Sequence, residues 1–437
     1  MIKDSPKTSR QIGFFDLISQ LDEKHPLLLL ADEIDWDFLN KTLFVYYSDK
    51  GRPGKPIRLM CGLLMLKQMY NLSDDNIIAQ WMMNPYYQAF CGEVAFQTEV
   101  PCCRTEITAF RQRIGEEGIN AIFAVSVALH QQGAEEDKVL VDTTVQEKAI
   151  TYPTDTKLAI KIINRLNKLA KKHGVKQRRT YVKEVKELRL QCRHFRHPKV
   201  RGKARRALKR LRTIAGALLR ELQRKLPEQI LSEEKENFVL YEKVLAQHPK
   251  DKNKIYSLHE PGVYCVGKGK DHKPYEYGRK ASVVSTLEGQ VIIGVASHDD
   301  NIHDSKTLES ALKHARQHRK SPIAMAIVDR GYRGAQQYVC EEVLLPKPPL
   351  KKDNAYQRQK KRRLCQKRAA IEPIIGHLKQ DFRLSRNWLR DSLGDAINLL
   401  MSASVWNLQK RMKVLFLSLI YVAIRAAIAA LSRSHIR

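Results

Sequence analysis

The chain predicts an α/β fold: a mixed sheet flanked by helices, preceded by a helical N-terminal domain and carrying a basic helical insertion after the first core strand. Three observations predict it. Two short apolar runs end in aspartate, Val139-Leu140-Val141-Asp142 and the run from Ile323 to Val328 before Asp329, as buried strands do. Two β-rich runs, Lys280 to Thr286 and Gln290 to Ala296, are separated by Glu288-Gly289, which reads as a hairpin. Between these features, residues 157–225 hold 25 Lys and Arg against three acids, Glu184, Glu187 and Glu221. In that stretch Leu208, Leu211, Ala215, Leu218 and Leu222 recur at helical spacing, so the segment reads as a basic, partly amphipathic helical insert.

In chain order, residues 14 to about 132 read as helical. Leu59, Leu63, Leu64, Leu66 and Met69 form one apolar stripe. Asn71-Leu-Ser-Asp-Asp breaks it, and Ser73 or Asp74 can cap a second helix bearing Ile77, Ile78, Trp81 and Met82. Helix, turn and helix fit a DNA-reading unit and equally an ordinary helical hairpin. Residues 1–132 are thus expected to form a helical N-terminal DNA-binding domain. The catalytic core would occupy 133–156 and 251–410, and the basic insertion 157–250. Tyr264 to Pro274 is rich in turn residues. A helix is expected from Ser305 to His318, capped by Asp304 or Ser305. After the Asp329 strand come a helix around Gln336 to Glu342, a short strand at Val343-Leu-Leu-Pro and a long closing helical region. Residues 411–437 are assigned to a C-terminal apolar helix. Its run from Val414 to Ile424 is shorter than the ~20 residues of a membrane span, so a buried terminal helix and no membrane partner are expected. No internal repeat is present.

At 437 residues the chain can bury a large core in two or three domains. Its formal net charge of +30 favours a polyanionic partner, nucleic acid foremost. The eight cysteines include no C-x-x-C pair, which argues against a zinc ribbon. Scattered thiols and a polar start from Met1 to Gln11 fit a reducing cytoplasm.

Phosphodiester cleavage needs an activated water and relief of charge on the leaving oxygen, and two metal ions about 4 Å apart provide both. Hard cations such as Mg²⁺ take oxygen ligands. Asp142 and Asp329 at strand ends, with Glu372 reaching from a late helix, make a candidate trio for two ions. A lone Asp after an apolar run is an ordinary turn residue; three in this order within so basic a chain carry more weight. Arg368, Glu372 and Lys379 are spaced by four and seven, so a helix would set them on one face, with two cations able to hold phosphates. Pro373 puts Glu372 at a kink or a helix start. The plainer reading is an Arg368–Glu372 ion pair. His303 and Asp304 could orient a water or touch DNA, but read better as a helix cap; His259, His272 and His377 read as surface or phosphate-facing.

These residues resemble a known family, the DDE transposases of bacterial insertion sequences, and most closely the insertion-sequence-5 group. That family's signature is Tyr-x-x-Arg-x-x-x-Glu-x-x-x-x-x-x-Lys; here Cys365 stands in the tyrosine position, followed by Arg368, Glu372 and Lys379. Asp142-Thr-Thr resembles the first-aspartate motif and Asp329-Arg-Gly-Tyr332 the second. Asn301-Ile-His303-Asp304, Leu258-His-Glu-Pro261, His272-Lys-Pro-Tyr275, Arg52-Pro-Gly-Lys-Pro-Ile57 and Trp81-Met-Met-Asn-Pro-Tyr86 are also similar to family segments. The resemblance spans nearly all of residues 15 to 410. It implies an RNase H-like core interrupted after its first strand, with Asp142, Asp329 and Glu372 as catalytic ligands of two Mg²⁺ ions, Mn²⁺ being a substitute. It further implies binding of double-stranded DNA, both terminal inverted repeats and target, by a homodimer or larger assembly in the bacterial cytoplasm, at the nucleoid. Arg368, Lys379, Arg330 and Arg333 are the expected DNA contacts. The alternatives are a metal-dependent nuclease or resolvase that does not join strands, and a decayed, non-catalytic DNA-binding protein.

Overall fold

The structure is a computed structural model and describes residues 16–434 apart from positions 49, 52, 194, 196, 270, 272, 335–339 and 341. Arg52, His272 and most of the helix expected around Gln336 lie outside the described residues. The chain divides into two compact units, one from Lys148 to Gly278 and the other holding the chain on either side of it.

The N-terminal part of the larger unit is helical: α1 (Pro26–Glu33), α2 (Trp36–Phe44), α3 (Ile57–Met69), α4 (Asp74–Met83), α5 (Pro85–Phe90) and α6 (Arg104–Ala128). Local chemistry starts several of them. Asp35 accepts from Phe38 N at 2.8 Å, Ser73 from Asn76 N at 3.1 Å and Asn84 from Tyr86 N at 3.0 Å, each satisfying an orphan helix donor. Helix α3 is buried on nearly every face, as its apolar run demands. Helix α4 exposes Asp75, Asn76, Ala79 and Met83.

Strand β1 (Lys138–Glu147) follows, and the chain enters the smaller unit. That unit holds α7 (Asp155–Lys172), α8 (Val182–Gln191), α9 (Pro198–Lys225), α10 (Glu228–Glu233), α11 (Lys235–Ala246) and β2 (Tyr264–Gly267). It has its own core, in which Leu158, Ile162 and Leu166 of α7 meet Leu211, Ala215, Leu218 and Leu222 of α9 and Phe238 and Tyr241 of α11. The apolar stripe of α9 faces inward, and Arg201, Lys203, Arg205, Arg206 and Lys209 face solvent. Strand β2 pairs antiparallel with the first residues of β3 (Tyr275–Thr286).

Beyond Gly278 come β4 (Ile292–His298), α12 (Leu308–Arg316), β5 (Met325–Ile327), β6 (Glu342–Leu344), α13 (Ala355–Ala369), α14 (Ile371–Gln380) and α15 (Asp391–Ser434). The strands lie in the order β3, β1, β5, β6, with β4 paired to β3. Strands β1, β5 and β6 are parallel, and β3 with β4 is the expected antiparallel hairpin. Successive strand residues alternate faces. Val139 and Val141 join the main core with α6, α12 and α15, while Leu140 and Ile327 pack on the other face against Ile371 of α14.

A buried polar chain ties β1 to its supports. Gln146 donates to Asp395 Oδ1 at 3.2 Å and accepts from Asn398 at 2.7 Å. Asn387 donates to Asp395 at 2.6 Å, and Arg279 Nε lies 3.1 Å from the same carboxylate. Gln68 of α3 bonds Ser402 at 2.9 Å and the Phe382 carbonyl at 2.7 Å.

Three expectations need correction. Residues 411–437 do not begin a separate helix, because α15 runs unbroken from Asp391. Its run beyond Leu408 is not buried where described: Val414, Phe416, Leu417, Ile420 and Tyr421 are exposed. Among the described residues no helix is long and apolar enough to cross a membrane. Finally, Asp304 and Ser305 do not cap α12. A 3-10 turn, Asp304–Lys306, precedes it, and His303 caps that turn by accepting from Ser305 N at 3.3 Å.

Candidate active site

The sheet register brings the two aspartates together. Lys138 pairs with Met325 and Leu140 with Ile327; two further residues along each parallel chain stand Asp142 and Asp329. By alternation both carry their side chains on the face of Leu140 and Ile327. The same face seats Ile371, so Glu372, the next residue, arrives at the rim of this surface. Glu372 lies in the first turn of α14 with Pro373 behind it; a proline near a helix start lacks only an N–H that has little use there. Arg368 belongs to the preceding helix α13, so the expected single helix face is split by a break at Ala370.

Arg368 links two of the three carboxylates. Its Nη1 donates to Glu372 Oε1 at 2.9 Å and its Nη2 to Asp142 Oδ2 at 3.4 Å. The ion pair named as the plainer reading therefore exists, and the same guanidinium reaches a second carboxylate. The Asp142 carboxylate also accepts from its own Thr143 N at 2.7 Å, and Asp329 Oδ1 accepts from Gly331 N at 2.8 Å. Burial pushes the Asp142 carboxyl up to about 6; Asp329 and Glu372 push the same way, while Thr143 N–H and Arg368 pull against them. Like charges crowd this spot, and a cation there would relieve them.

The donor set fits hard divalent ions, being oxygen throughout. Among the described residues no three His, Cys, Asp or Glu are already assembled around one point. Glu372 is the outlying member, mostly exposed and engaged with Arg368. Arg330 and Arg333 are exposed in the turn after Asp329, and Lys379 is half-buried in the last turn of α14. Cys365 donates weakly to the Lys347 carbonyl at 3.7 Å. His377 pairs with Asp381 at 2.7 Å, and His259 meets Ser257 Oγ at 3.0 Å.

The sequence reading missed a layer beneath the aspartates. Lys280 Nζ donates to Asp304 Oδ1 at 2.9 Å and to the Ile302 carbonyl at 2.7 Å. Asp304 lies across Gly331 from Asp329: a β-carbon on Gly331 would stand 3.0 Å from Asp329 Oδ1 and 3.1 Å from Asp304 Oδ2. Tyr332 is fully buried next to them. The available signal was a lysine opening the β-rich run at 280, and an aspartate whose capping value hid a longer reach.

A mixed sheet with one aspartate on β1, a second just past the end of the adjacent parallel β5 and a glutamate from a following helix fits a carboxylate site of the RNase H-like class. Residues 243–408 match the family described as Transposase DDE domain, and residues 15–113 match Transposase domain (DUF772). A Rhizobium meliloti protein named uncharacterized protein ORF8 in nfe locus is 37% identical over 198 residues, which cover 44% of this chain and 96% of that protein. No solved structure matches the chain. The chain belongs to the DDE transposases. Its fold is RNase H-like, its activity is of the transposase class, and the family's substrate is DNA, handled with divalent metal ions.

Proposed function

We propose that the protein binds the ends of an insertion sequence, frees their 3′-hydroxyls and joins them to target DNA at one site formed by Asp142, Asp329 and Glu372. The observation that supports this most is the strand register, which sets Asp142 beside Asp329 on the face that α14 covers. The three carboxylates would hold two Mg²⁺ ions, or Mn²⁺, which when bound supply an acidified water and charge relief at the leaving oxygen. Asp142, fixed on β1, and Asp329, in the turn directly after β5, set the position of the scissile phosphate, and Glu372 closes the site from its helix. Arg368 exchanges its carboxylate partners for a DNA phosphate, since a guanidinium fits either anion with paired donors. Arg330, Arg333 and Lys379 hold neighbouring phosphates. The solvent-facing cations of α9 bind the DNA flank. Two ends require at least two copies, working on the nucleoid in the bacterial cytoplasm.

The test is nicking and joining of a DNA carrying the element's ends, with and without Mg²⁺. Asp329→Ala is expected to abolish nicking and leave end binding intact. A variant that still cuts would defeat the assignment. Cleavage by the wild type with no joined product would favour a nuclease or resolvase.

A further inference from the structure

Tyr332 poses a problem for packing alone. Its ring is completely buried, yet its hydroxyl is sealed from solvent and makes no hydrogen bond of good geometry among the described residues, having only the loose approach of the Thr307 and Thr143 side chains. A buried hydroxyl left poorly bonded is destabilising, and phenylalanine would fill the same space without that cost. The hydroxyl's surroundings are polar. Thr307 and Thr143 flank it, and the carboxylates of Asp142 and Asp304 are near enough to oppose its ionisation, adding to the effect of burial. Thr307 already donates to the Asp304 carbonyl at 2.8 Å. Thr143 is the residue whose N–H holds Asp142. The phenol therefore sits between the strand that carries one catalytic aspartate and the turn that precedes α12.

Asp304 is fixed from the other side. Lys280 holds one of its oxygens and the backbone of Ile302, which anchors the turn to β3. Its other oxygen faces Gly331, in the turn whose first residue is Asp329. Any side chain at 331 would press on both carboxylates, so a glycine there lets them approach.

We propose that Tyr332 and the Asp304–Lys280 pair are positioning residues of the carboxylate site: Tyr332 offers its O–H to Asp142 when a cation binds, and Asp304, held by Lys280, steadies the turn that presents Asp329. This rests on the reading of Asp142 and Asp329 as cation ligands. Groups that hold metal-ligating carboxylates commonly change affinity 10- to 100-fold when removed.

The experiment uses the full-length chain free of DNA and measures Mn²⁺ binding by calorimetry, with thermal unfolding in chelator as the control for fold. Tyr332→Phe is expected to unfold at or above the wild-type temperature, because it removes a poorly bonded hydroxyl, and to bind Mn²⁺ about 10-fold more weakly. Asp304→Asn is expected to weaken Mn²⁺ by a similar factor. A purely structural role would lower the unfolding temperature and leave affinity alone. Asp329→Asn separates the two levels. If it binds Mn²⁺ like the wild type, the active-site reading itself fails. If it loses Mn²⁺ while Tyr332→Phe or Asp304→Asn binds at wild-type strength, the positioning role is overturned and the site stands.

Discussion

At the scale of single residues, the N-terminal helices are pinned by one acid between two buried cations. Asp74 lies 2.7 Å from Lys67 Nζ and takes two hydrogen bonds from Arg111, at 2.8 and 2.7 Å. Burial and the neighbouring Arg111 bring the Lys67 ammonium down to about 8, Asp74 notwithstanding. Burial would raise the Asp74 carboxyl, but the Arg111 and Lys67 contacts outweigh it and hold it well below the usual range. Removing the acid leaves Lys67 and Arg111 facing each other, so Asp74→Ala should cost about 3–5 kcal/mol in urea unfolding. The pH sign follows from the depressed carboxyl. Its contribution is complete above the ordinary carboxylate pKa of about 3.9 and is lost as pH falls toward the folded value. The gap between wild type and Asp74→Ala should therefore narrow below about pH 4. Of this cluster the sequence revealed the Ser73 cap, because a cap and its helix are neighbours in the chain. It could not reveal that Arg111, 37 residues away, would be the partner of Asp74. The same limit explains the layer under the candidate site. Asp142 and Asp329 each close an apolar run and Glu372 begins a helix, whereas Lys280 and Asp304 acquire meaning only after β3 and the turn before α12 meet.

At the scale of elements, what sequence periodicity could settle was which segments are strands and which face is apolar. The runs before Asp142 and Asp329 alternate across the sheet, and the helical stripe of α9 is buried as spaced, with Leu208 only half-buried. Ends were less legible. Pro373 announced a disturbance near Glu372, and the chain resolved it with a new helix start, which moves Arg368 onto α13. The apolar tail of α15 read as buried because periodicity reports composition and not contact. An element that periodicity misses altogether is the side-chain cover of a strand edge. Asn407 of α15 accepts from Ile292 N at 2.9 Å and donates to Ile292 O at 2.8 Å, pairing the backbone of β4 as a neighbouring strand would. Asn407→Ala leaves both groups buried and unpaired, which should cost about 2–4 kcal/mol. Amide hydrogen exchange checks it locally: the Ile292 amide should lose protection by several hundredfold, while amides of the smaller unit should exchange as before.

At the scale of the whole molecule, charge is distributed unevenly. Most of the excess of Lys and Arg over Asp and Glu lies between residues 157 and 225. Part of it is neutralised within the smaller unit, where Arg210 pairs with Glu184 at 2.6 Å and Arg212 with Asp155 at 3.1 Å. Arg205, Arg206 and Lys209 face solvent on α9. An amphipathic helix with its apolar side satisfied and its cations outward can be a solvated face or a phosphate track, and salt dependence tells these apart. Each cation that displaces a counterion from duplex DNA contributes about 0.9 to the slope of log K against log salt. Replacing Arg205, Arg206 and Lys209 together by Ala should lower the magnitude of that slope by about 2–3. It should also weaken binding to end-bearing and unrelated duplexes alike, because phosphate contacts carry no base information. The buried stripe from Leu211 to Leu222 is untouched, so circular dichroism and unfolding should match the wild type. An unchanged slope would return α9 to the status of a solvated face. The DNA flank would then have to be held within the larger unit, where the exposed Arg330 and Arg333 next to Asp329 become the cations to replace next.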